Sequence, residues 1–301
     1  MNKKEVEQRP SETALFTALR RTIANKEYNN EKFGPDYLAE IFLPAYYRFF
    51  LSFEKVRENT KNKLASFMPG LNEYIIARTA FFDGLFVNAL GEKIPQIVLL
   101  GAGYDSRAYR FAKSNRGTKI FELDAPPTQN RKIKCLKAAR ISIPIEIQYV
   151  PINFIIDSLS NVLENAGYKN QEQTLFLWEG VSYYLGVDVV KETLGFVSHS
   201  SNRDSVIAFD YTISLSEENV NMHYGANELM NSMKEYHANE QLLFSIKDGD
   251  IESFLAERNL RMIDYLDNEA IVRKYLMDDN GSLIGRMAGN FHFVCASPMK
   301  Y

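Results

Sequence analysis

At 301 residues, 46% hydrophobic, 13% aromatic and 24% charged, the chain can bury a substantial apolar core, which excludes a disordered segment, a fibre or a short peptide. Thirty-five Lys and Arg against 38 Asp and Glu leave a formal net charge of -3, so there is no global positive field to hold a polyanion, and no nucleic acid partner is expected. Two distant cysteines, Cys135 and Cys295, form no CxxC and suggest neither a disulfide framework nor a zinc site; no metal is expected. The polar start MNKKEVEQRP has no apolar stretch behind it, and no run approaches the roughly 18 apolar residues of a membrane span. The reading is a reduced, soluble, cytoplasmic protein with no membrane partner.

In chain order, the first 95 residues carry helical patterns at 12–24, 38–50 and 71–90, punctuated by Gly34, Pro35, Pro69, Gly70, Gly91 and Pro95. The aromatics Phe33, Tyr37, Phe42, Tyr46, Tyr47, Phe49, Phe50 and Phe53 need a surface to pack on, and they are expected to cover the carboxyl edge of a following sheet. From residue 96 short β-branched or aromatic runs alternate with helical stretches, the mark of an α/β fold. Strands are predicted at 97–101 (IVLLG), 119–124 (KIFELD), 147–152 (IQYVPI), 174–178 (TLFLW) and 205–210 (SVIAFD). Their apolar middles suit a parallel sheet buried on both faces. A polar, helix-prone segment at 214–245 reads as a lid-like insertion, followed by a helix at 251–259 and strands at 262–266 and 290–296, the last with antiparallel alternation. The predicted organisation is thus a helical cap over 1–95 and an α/β core over 96–301.

The most informative stretch is IVLLGAGYDSRAYRF, residues 97–111: a buried strand, two glycines one residue apart, then a helical pattern. Gly101 and Gly103 allow a sharp turn and let a ligand lie against the backbone with no Cβ in the way. A dinucleotide fingerprint would place its third glycine at Ser106, and Asp105 would repel a pyrophosphate. The turn therefore suits a cofactor without phosphates, with an ordinary tight βα turn as the bland alternative. About 20 residues on, the second strand ends in Glu122 and Asp124. A carboxylate there can accept hydrogen bonds from ribose hydroxyls, or it can cap the basic helix after Pro126 and Pro127.

The segments ARTAFFD (77–83), VLLGAGYDSRAYRF (98–111), FELDAP (121–126), VPINF (150–154) and LWEGVSYYL (177–185), in this order and spacing, resemble the leucine carboxyl methyltransferase family, in its bacterial class I S-adenosylmethionine-dependent branch. The resemblance covers roughly 30–215. It implies a Rossmann-like class I methyltransferase fold, with a seven-stranded, mostly parallel sheet containing one antiparallel strand and an N-terminal helical lid. It further implies S-adenosyl-L-methionine as cofactor, with S-adenosyl-L-homocysteine as product. By the same resemblance Arg78 corresponds to the arginine that pairs with the cofactor's carboxylate, Gly101 to the glycine of the cofactor turn beside Gly103, and Asp124 to the ribose-binding acid. Glu179 corresponds to the glutamate after the fourth strand, near the cofactor's amino group or sulfonium, and Tyr184 to an aromatic position of the family. Where the family usually has an acid followed by Leu at the adenine, this chain has Asn153 and Phe154; an Asn carbonyl can still accept from the adenine amine.

Other residues read more plainly. Arg107 is expected to brace the loop or a neighbouring carboxylate, His199 to cap a helix and His292 to be structural. The basic run at 131–137 reads as a solvated helix face. Tyr184, His223 and His237 are the candidates for a catalytic group, with solvation the plainer reading of both histidines. A carboxylate acceptor, ionised at neutral pH, needs no general base, whereas a hydroxyl does. The lack of an evident base and the family's namesake activity point to O-methylation of a carboxylate, on a small or polyketide-like acid or a protein C-terminus, with a hydroxyl acceptor next. An NAD-dependent oxidoreductase and a non-catalytic cofactor-binding scaffold are the competing readings.

Overall fold

The computed structural model describes residues 9–30, 32–236 and 242–299. Its first helix, α1 (Glu12–Tyr28), starts where the Ser11 hydroxyl accepts from the Ala14 N–H and ends at Asn29, whose φ of 44° is left-handed. It runs one turn beyond the predicted end, because Asn25, Lys26 and Glu27 break the apolar pattern without breaking the helix. The second predicted helix is split. A 3-10 turn (Ala39–Phe42) precedes Leu43, which is extended at ψ 149°, and α2 (Ala45–Phe50) follows. Pro44 explains the break, since its ring drives the preceding residue out of the helical region.

Helix α3 (Glu54–Phe67) has no buried residue and so left no apolar period to read. Helix α4 (Leu71–Gly91) buries Tyr74, Ala77, Phe81, Phe82 and Phe86. The aromatic cluster ahead of it behaves differently from the expectation. Phe33 and Phe42 are buried, and Phe42 stacks on Tyr104 at 5.0 Å, but Tyr37, Tyr46, Phe49, Phe50 and Phe53 are each more than half exposed. The six-residue α2 has no buried face. Phe49 instead meets its own neighbours Phe50 and Phe53, at 5.5 and 5.3 Å.

The rest of the chain builds β1 (Gln96–Leu100), α5 (Arg107–Arg110), β2 (Lys119–Asp124), α6 (Pro126–Ala138), β3 (Ile147–Pro151), α7 (Leu159–Asn165), β4 (Thr174–Trp178) and α8 (Val187–His199). It continues through β5 (Val206–Thr212), α9 (Ala226–Tyr236), α10 (Ile251–Ala256), β6 (Leu260–Leu266), α11 (Asn268–Tyr275) and β7 (Phe291–Pro298). Only part of the 214–245 segment is helical among the described residues: a 3-10 turn at Val220–Met222 and α9.

The seven strands form one sheet in the order β3-β2-β1-β4-β5-β7-β6. Strands β1 to β5 pair in parallel, and β7 runs antiparallel to both β5 and β6. This is the sheet the sequence implies. β1 and β4 are buried along their whole length, as strands covered on both faces must be. Successive side chains of β1 enter opposite cores: Leu99 joins α4 through Ala77, Phe81 and Phe82, while Val98 and Leu100 join Trp178, Leu163, Leu194 and Val197. The order reverses between β1 and β4, so the loops leaving their carboxyl ends diverge there. Such a switch point opens a crevice in which α/β proteins seat ligands.

Candidate functional site

A cavity of about 390 Å³ fills that crevice. Its walls are the turn after β1, the end of β2, the loop after β4, the residues following β3, and the first turns of α1. Gly101 and Gly103 have φ of 72° and 45°, values reserved almost wholly for glycine. A Cβ on Gly101 would stand 2.6 Å from Val181 Cγ2, and one on Gly103 3.3 Å from Ala14 Cβ. The space these glycines leave is thus taken by the loop after β4 and by α1. The turn itself is fastened to β2: Ala102 N–H donates to the Leu123 carbonyl at 2.7 Å, and Gly103 N–H donates to Asp124.

Asp124 accepts at one oxygen from Gly103 N–H and at the other from Ala125 N–H, at 2.7 Å. Burial raises its pKa to about 6, against these bonds and Lys132, which lower it; the group is mainly ionised at pH 7. Two hydrogen bonds leave lone pairs of the carboxylate for a ligand.

The opposite wall is held by arginines. Arg78, on α4, donates from Nε to Glu179 at 3.0 Å and from Nη1 to the Tyr183 hydroxyl at 3.1 Å, and Nη1 lies 3.4 Å from Asp210. Its Nη2 has no hydrogen bond among the described residues, and the side chain lines the cavity. Gly180 makes this position available: at φ 70°, a Cβ there would approach Arg78 Nη1 to 2.7 Å. The Gly180 N–H donates to Asp210 at 2.6 Å, and Asp210 also accepts from the Tyr74 hydroxyl.

Arg107 braces carboxylates, as read from the sequence. It pairs with Asp83 at 2.8 Å, Asp105 at 2.6 Å and Glu179 at 2.7 Å. Arg110 adds two more bonds to Asp83, each at 2.7 Å. Burial works to raise the Asp105 pKa, but Arg107 and Lys132 outweigh it and hold it down at about 2. Ser106, in the place of a third glycine, donates to Asp36 at 2.6 Å and accepts from Arg110 at 2.8 Å.

The predicted residues divide in three ways. Arg78, Gly101, Gly103, Asp124, Phe154, Glu179 and Tyr184 all line the cavity. Asn153 does not: its Oδ1 accepts from Ile155 N–H at 2.9 Å within its own loop, and Ile152, Phe154 and Ile155 form the wall instead. His223 lies against the Gly289 carbonyl at 3.3 Å, away from the cavity, and His237 lies outside the described residues. His292 is buried beside the Tyr265 hydroxyl at 2.9 Å, and His199 closes α8 on the Gly195 carbonyl at 2.9 Å. The basic run is not a wholly solvated face. Lys132 is buried in an ion pair with Glu122 at 2.7 Å, and Arg131 donates to the Phe42 carbonyl at 2.9 Å.

Sequence reading missed Asp210, Tyr74, Tyr183 and Gly180, and also the contribution of α1. Asp210 was legible as an acid near a strand's carboxyl end, and the adjacent Arg20 and Arg21 as charges inside an apolar helical pattern. Among the described residues no cluster of His, Cys, Asp and Glu is placed to hold a metal, and no helix is long and apolar enough to cross a membrane.

The model of the family described as "Leucine carboxyl methyltransferase" matches residues 14–198. The match begins inside α1, earlier than the motifs alone suggested. A protein of Parafrankia sp. (strain EAN1pec), provisionally named an S-adenosyl-L-methionine-dependent methyltransferase, is 30% identical over 208 residues, which cover 69% of this chain and 65% of that protein. YktD of Bacillus subtilis (strain 168), named in the same provisional way, is 31% identical over 180 residues, 56% of this chain and 59% of its own length. The matched stretch therefore spans less than two thirds of these relatives. Among solved structures, a DUF574 family protein from Streptomyces avermitilis superposes with a TM-score of 0.59 at 12% identity, covering 97% of this chain and 99% of that one. A protein of Thermobifida fusca YX, titled provisionally as a methyltransferase, gives 0.58 at 13% identity, covering 89% and 98%. At these identities the likeness establishes the fold alone.

Proposed function

We propose that this chain, which belongs to the leucine carboxyl methyltransferase family, transfers a methyl group from S-adenosyl-L-methionine to an oxygen of an acceptor. One observation carries this reading: Arg78 reaches the cavity with Nη2 uncommitted, while Asp124 stands on the far side of the glycine turn with spare lone pairs. A cation and a carboxylate held at the two sides of a cavity of about 390 Å³ suit a ligand that carries an amino-acid carboxylate at one end and a nucleoside at the other, and the volume lies in the range of small-ligand sites.

In this reading Arg78 holds the methionine carboxylate by a charge-assisted hydrogen bond. Asp124 accepts from the ribose hydroxyls. Ile152, Phe154 and Ile155 cover the adenine, and Asn153 holds the loop that presents them. Glu179, clamped by Arg78 and Arg107, presents negative charge to the amino group or the sulfonium. When bound, S-adenosyl-L-methionine supplies an electrophilic methyl on a sulfonium. The residues of the chain then need chiefly to position the acceptor and keep water out.

Asp105, Asp124 and Glu179 are all engaged in ion pairs or backbone hydrogen bonds, so none is a ready general base. A carboxylate acceptor, which needs none, fits this wall best. The acceptor is a small or polyketide-like acid, or a protein C-terminus. Of the helical cap at 1–95, α1 covers the cavity of a core at 96–301 together with Leu243 from the described part of 214–245, whereas α2 does not. An NAD-dependent oxidoreductase is disfavoured, because Asp105 and Ser106 leave no glycine-lined seat for a pyrophosphate.

The test is calorimetric titration with S-adenosyl-L-methionine, S-adenosyl-L-homocysteine and NADH. Saturable binding of the first two and none of NADH is expected. Binding of NADH alone overturns the reading in favour of the oxidoreductase. Cofactor binding with no methyl transferred to a broad acceptor panel would indicate a scaffold.

A further inference from the structure

Next to the main cavity lies a second, smaller one of about 50 Å³, and Thr13, Thr17, Arg78, Gly180 and Tyr184 line both. Its other walls are almost wholly apolar: Phe16, Met68, Leu71, Leu229, Leu242 and Phe291 are among them. Into this pocket α1 places Arg20, whose side chain is only 4% exposed. No carboxylate of the described residues lies within 4.0 Å of its guanidinium. Its Nε is buried without a hydrogen-bond partner, and its Nη2 meets only the Met68 sulfur, at 3.9 Å. The Phe16 ring covers one face, at 4.8 Å. Thr13, on the wall shared by the two cavities, also has a buried hydroxyl with no hydrogen-bond partner among the described residues.

A buried, unpaired guanidinium is costly to maintain. Every other deeply buried arginine around the site is paired: Arg21 with Asp36 at 3.2 Å, Arg78 with Glu179, Arg107 with three carboxylates, Arg110 with Asp83. Burial lowers the Arg20 pKa to about 10, with the acidic groups of Tyr184 and Glu73 opposing it, so the side chain remains charged at neutral pH. Among the described residues no carboxylate pairs with it directly, and Glu73 acts only from beyond ion-pair distance, so a place for an anion is left beside the guanidinium.

We propose that Arg20 is the specificity-determining residue of the acceptor subsite, holding the acid group of a monoanionic acceptor whose apolar body lies against Phe16, Met68, Leu71 and Leu229. The proposal rests on the methyltransferase reading with a carboxylate acceptor and adds to it the residue that selects that acceptor. One carboxylate oxygen is held by Arg20, with the Thr13 hydroxyl available to donate as well. A lone pair of the other oxygen forms the new carbon–oxygen bond as the methyl–sulfur bond breaks, and the electrons of that bond stay on sulfur. No proton is transferred. The anion becomes a neutral ester, which loses its ion pair with Arg20 and is released from the pocket more readily than the acid. Amides and alcohols of the same shape give Arg20 no counterion and are rejected.

Hexanoate serves as the probe and hexanamide as its uncharged isostere, each titrated calorimetrically into the full-length protein with and without saturating S-adenosyl-L-homocysteine. The wild type is expected to bind hexanoate at least roughly tenfold more tightly than hexanamide, the scale of one charge-assisted hydrogen-bond set. Arg20→Met is expected to abolish that discrimination while binding S-adenosyl-L-homocysteine as the wild type does, and Arg20→Lys to restore part of it. A merely structural Arg20 would instead leave the preference intact in any variant that folds. Equal binding of the two probes to the wild type, an Arg20→Met protein that still discriminates, or no binding of any straight-chain acid from acetate to octanoate overturns the proposal. Failure of S-adenosyl-L-homocysteine to bind strikes the methyltransferase reading instead, since the probes are also titrated without it.

Discussion

The support of the main crevice and the smaller pocket beside it treat buried arginine in opposite ways. Under the glycine turn, Arg107 and Arg110 are neutralised by carboxylates: between them they engage Asp83, Asp105 and Glu179, and Arg110 also reaches Ser106, although Arg107 Nη2 is buried without a hydrogen-bond partner among the described residues. In the neighbouring smaller pocket, Arg20 sits among largely aromatic and aliphatic side chains with no carboxylate of the described residues in ion-pair contact. The first arrangement is closed and serves architecture, fixing the loops after β1 and β4 to α4. The second is open, and a group with its chemistry incomplete indicates where a ligand belongs. Arg78 stands between the two, paired on one edge and uncommitted on the other.

If the closed wall is structural, breaking it should have the largest effect. Arg107→Met leaves three carboxylates without their shared cation, and a loss of about 3–5 kcal/mol is expected in urea unfolding. A loss below about 1 kcal/mol would remove the contrast with Arg20. The pH dependence gives a second check. Asp105 titrates at about 2 in the folded chain, below its ordinary 3.8, so its stabilising contribution is complete above pH 4 and is lost as pH falls towards 2. In Arg107→Met that acid-sensitive contribution should shrink.

Next in size is the residue between the walls. Arg78→Ala removes the uncommitted Nη2, and S-adenosyl-L-homocysteine affinity is expected to fall roughly 10- to 100-fold. Because Arg78 also neutralises Asp210 and Glu179, stability should fall with it. The titration is therefore made well below the unfolding transition, with circular dichroism to show that the fold is retained. Undiminished affinity in folded Arg78→Ala would sink the assignment of the cofactor's carboxylate to this edge.

Asp124 gives a subtler test, because its pKa lies close to working pH. Raised by burial to about 6, it is largely ionised at pH 7 and largely protonated at pH 5. S-adenosyl-L-homocysteine should bind up to roughly tenfold more weakly at pH 5 than at pH 7, the cost of about one hydrogen bond to a charged acceptor. Asp124→Asn should bind weakly throughout and lose the part of the pH slope centred near 6. A wild-type affinity flat from pH 7 to 5 would mean that the carboxylate serves the glycine turn and not the ribose.

What the sequence disclosed follows the same division between closed and open features. The parallel strands were readable because burial on both faces leaves uninterrupted apolar runs, as in IVLL and TLFLW, and because glycines mark where the first run turns. The resemblance to the leucine carboxyl methyltransferase family singled out Arg78 and Glu179 as candidates, and distance from the glycine turn also pointed to Asp124. Helix α3 was not readable, since EKVRENTKNKLASF has no apolar stripe and packs no residue deeply. Pairing was also hidden: nothing local in sequence says that Arg107 reaches Asp83, or that Gly180 exists to admit Arg78, because both depend on α4 crossing the sheet. The placement of Asn153 was hidden for a related reason. Its type suits adenine, but its side chain is off the cavity wall and accepts from Ile155 N–H within a tight loop. Arg20 was open to notice as a charge inside an apolar helical pattern, but only the packing shows its guanidinium buried with no carboxylate of the described residues in ion-pair contact.

The smallest expected effect concerns the aromatics of α2, which the sequence suggested as a cover for the sheet edge. Phe49 and Phe50 are 62% and 51% exposed, and their ring contacts are with each other and with Phe53. A ring already in water has little transfer free energy to lose, and the edge-on pairing contributes at most about 1 kcal/mol. The double substitution Phe49→Ser and Phe50→Ser should therefore change stability by less than about 1 kcal/mol and leave S-adenosyl-L-homocysteine affinity unaltered. A cover over the cavity would behave otherwise: removing it would admit water and weaken the ligand. A tenfold loss of affinity in the double variant would thus return α2 to the site and extend the open wall beyond Arg20.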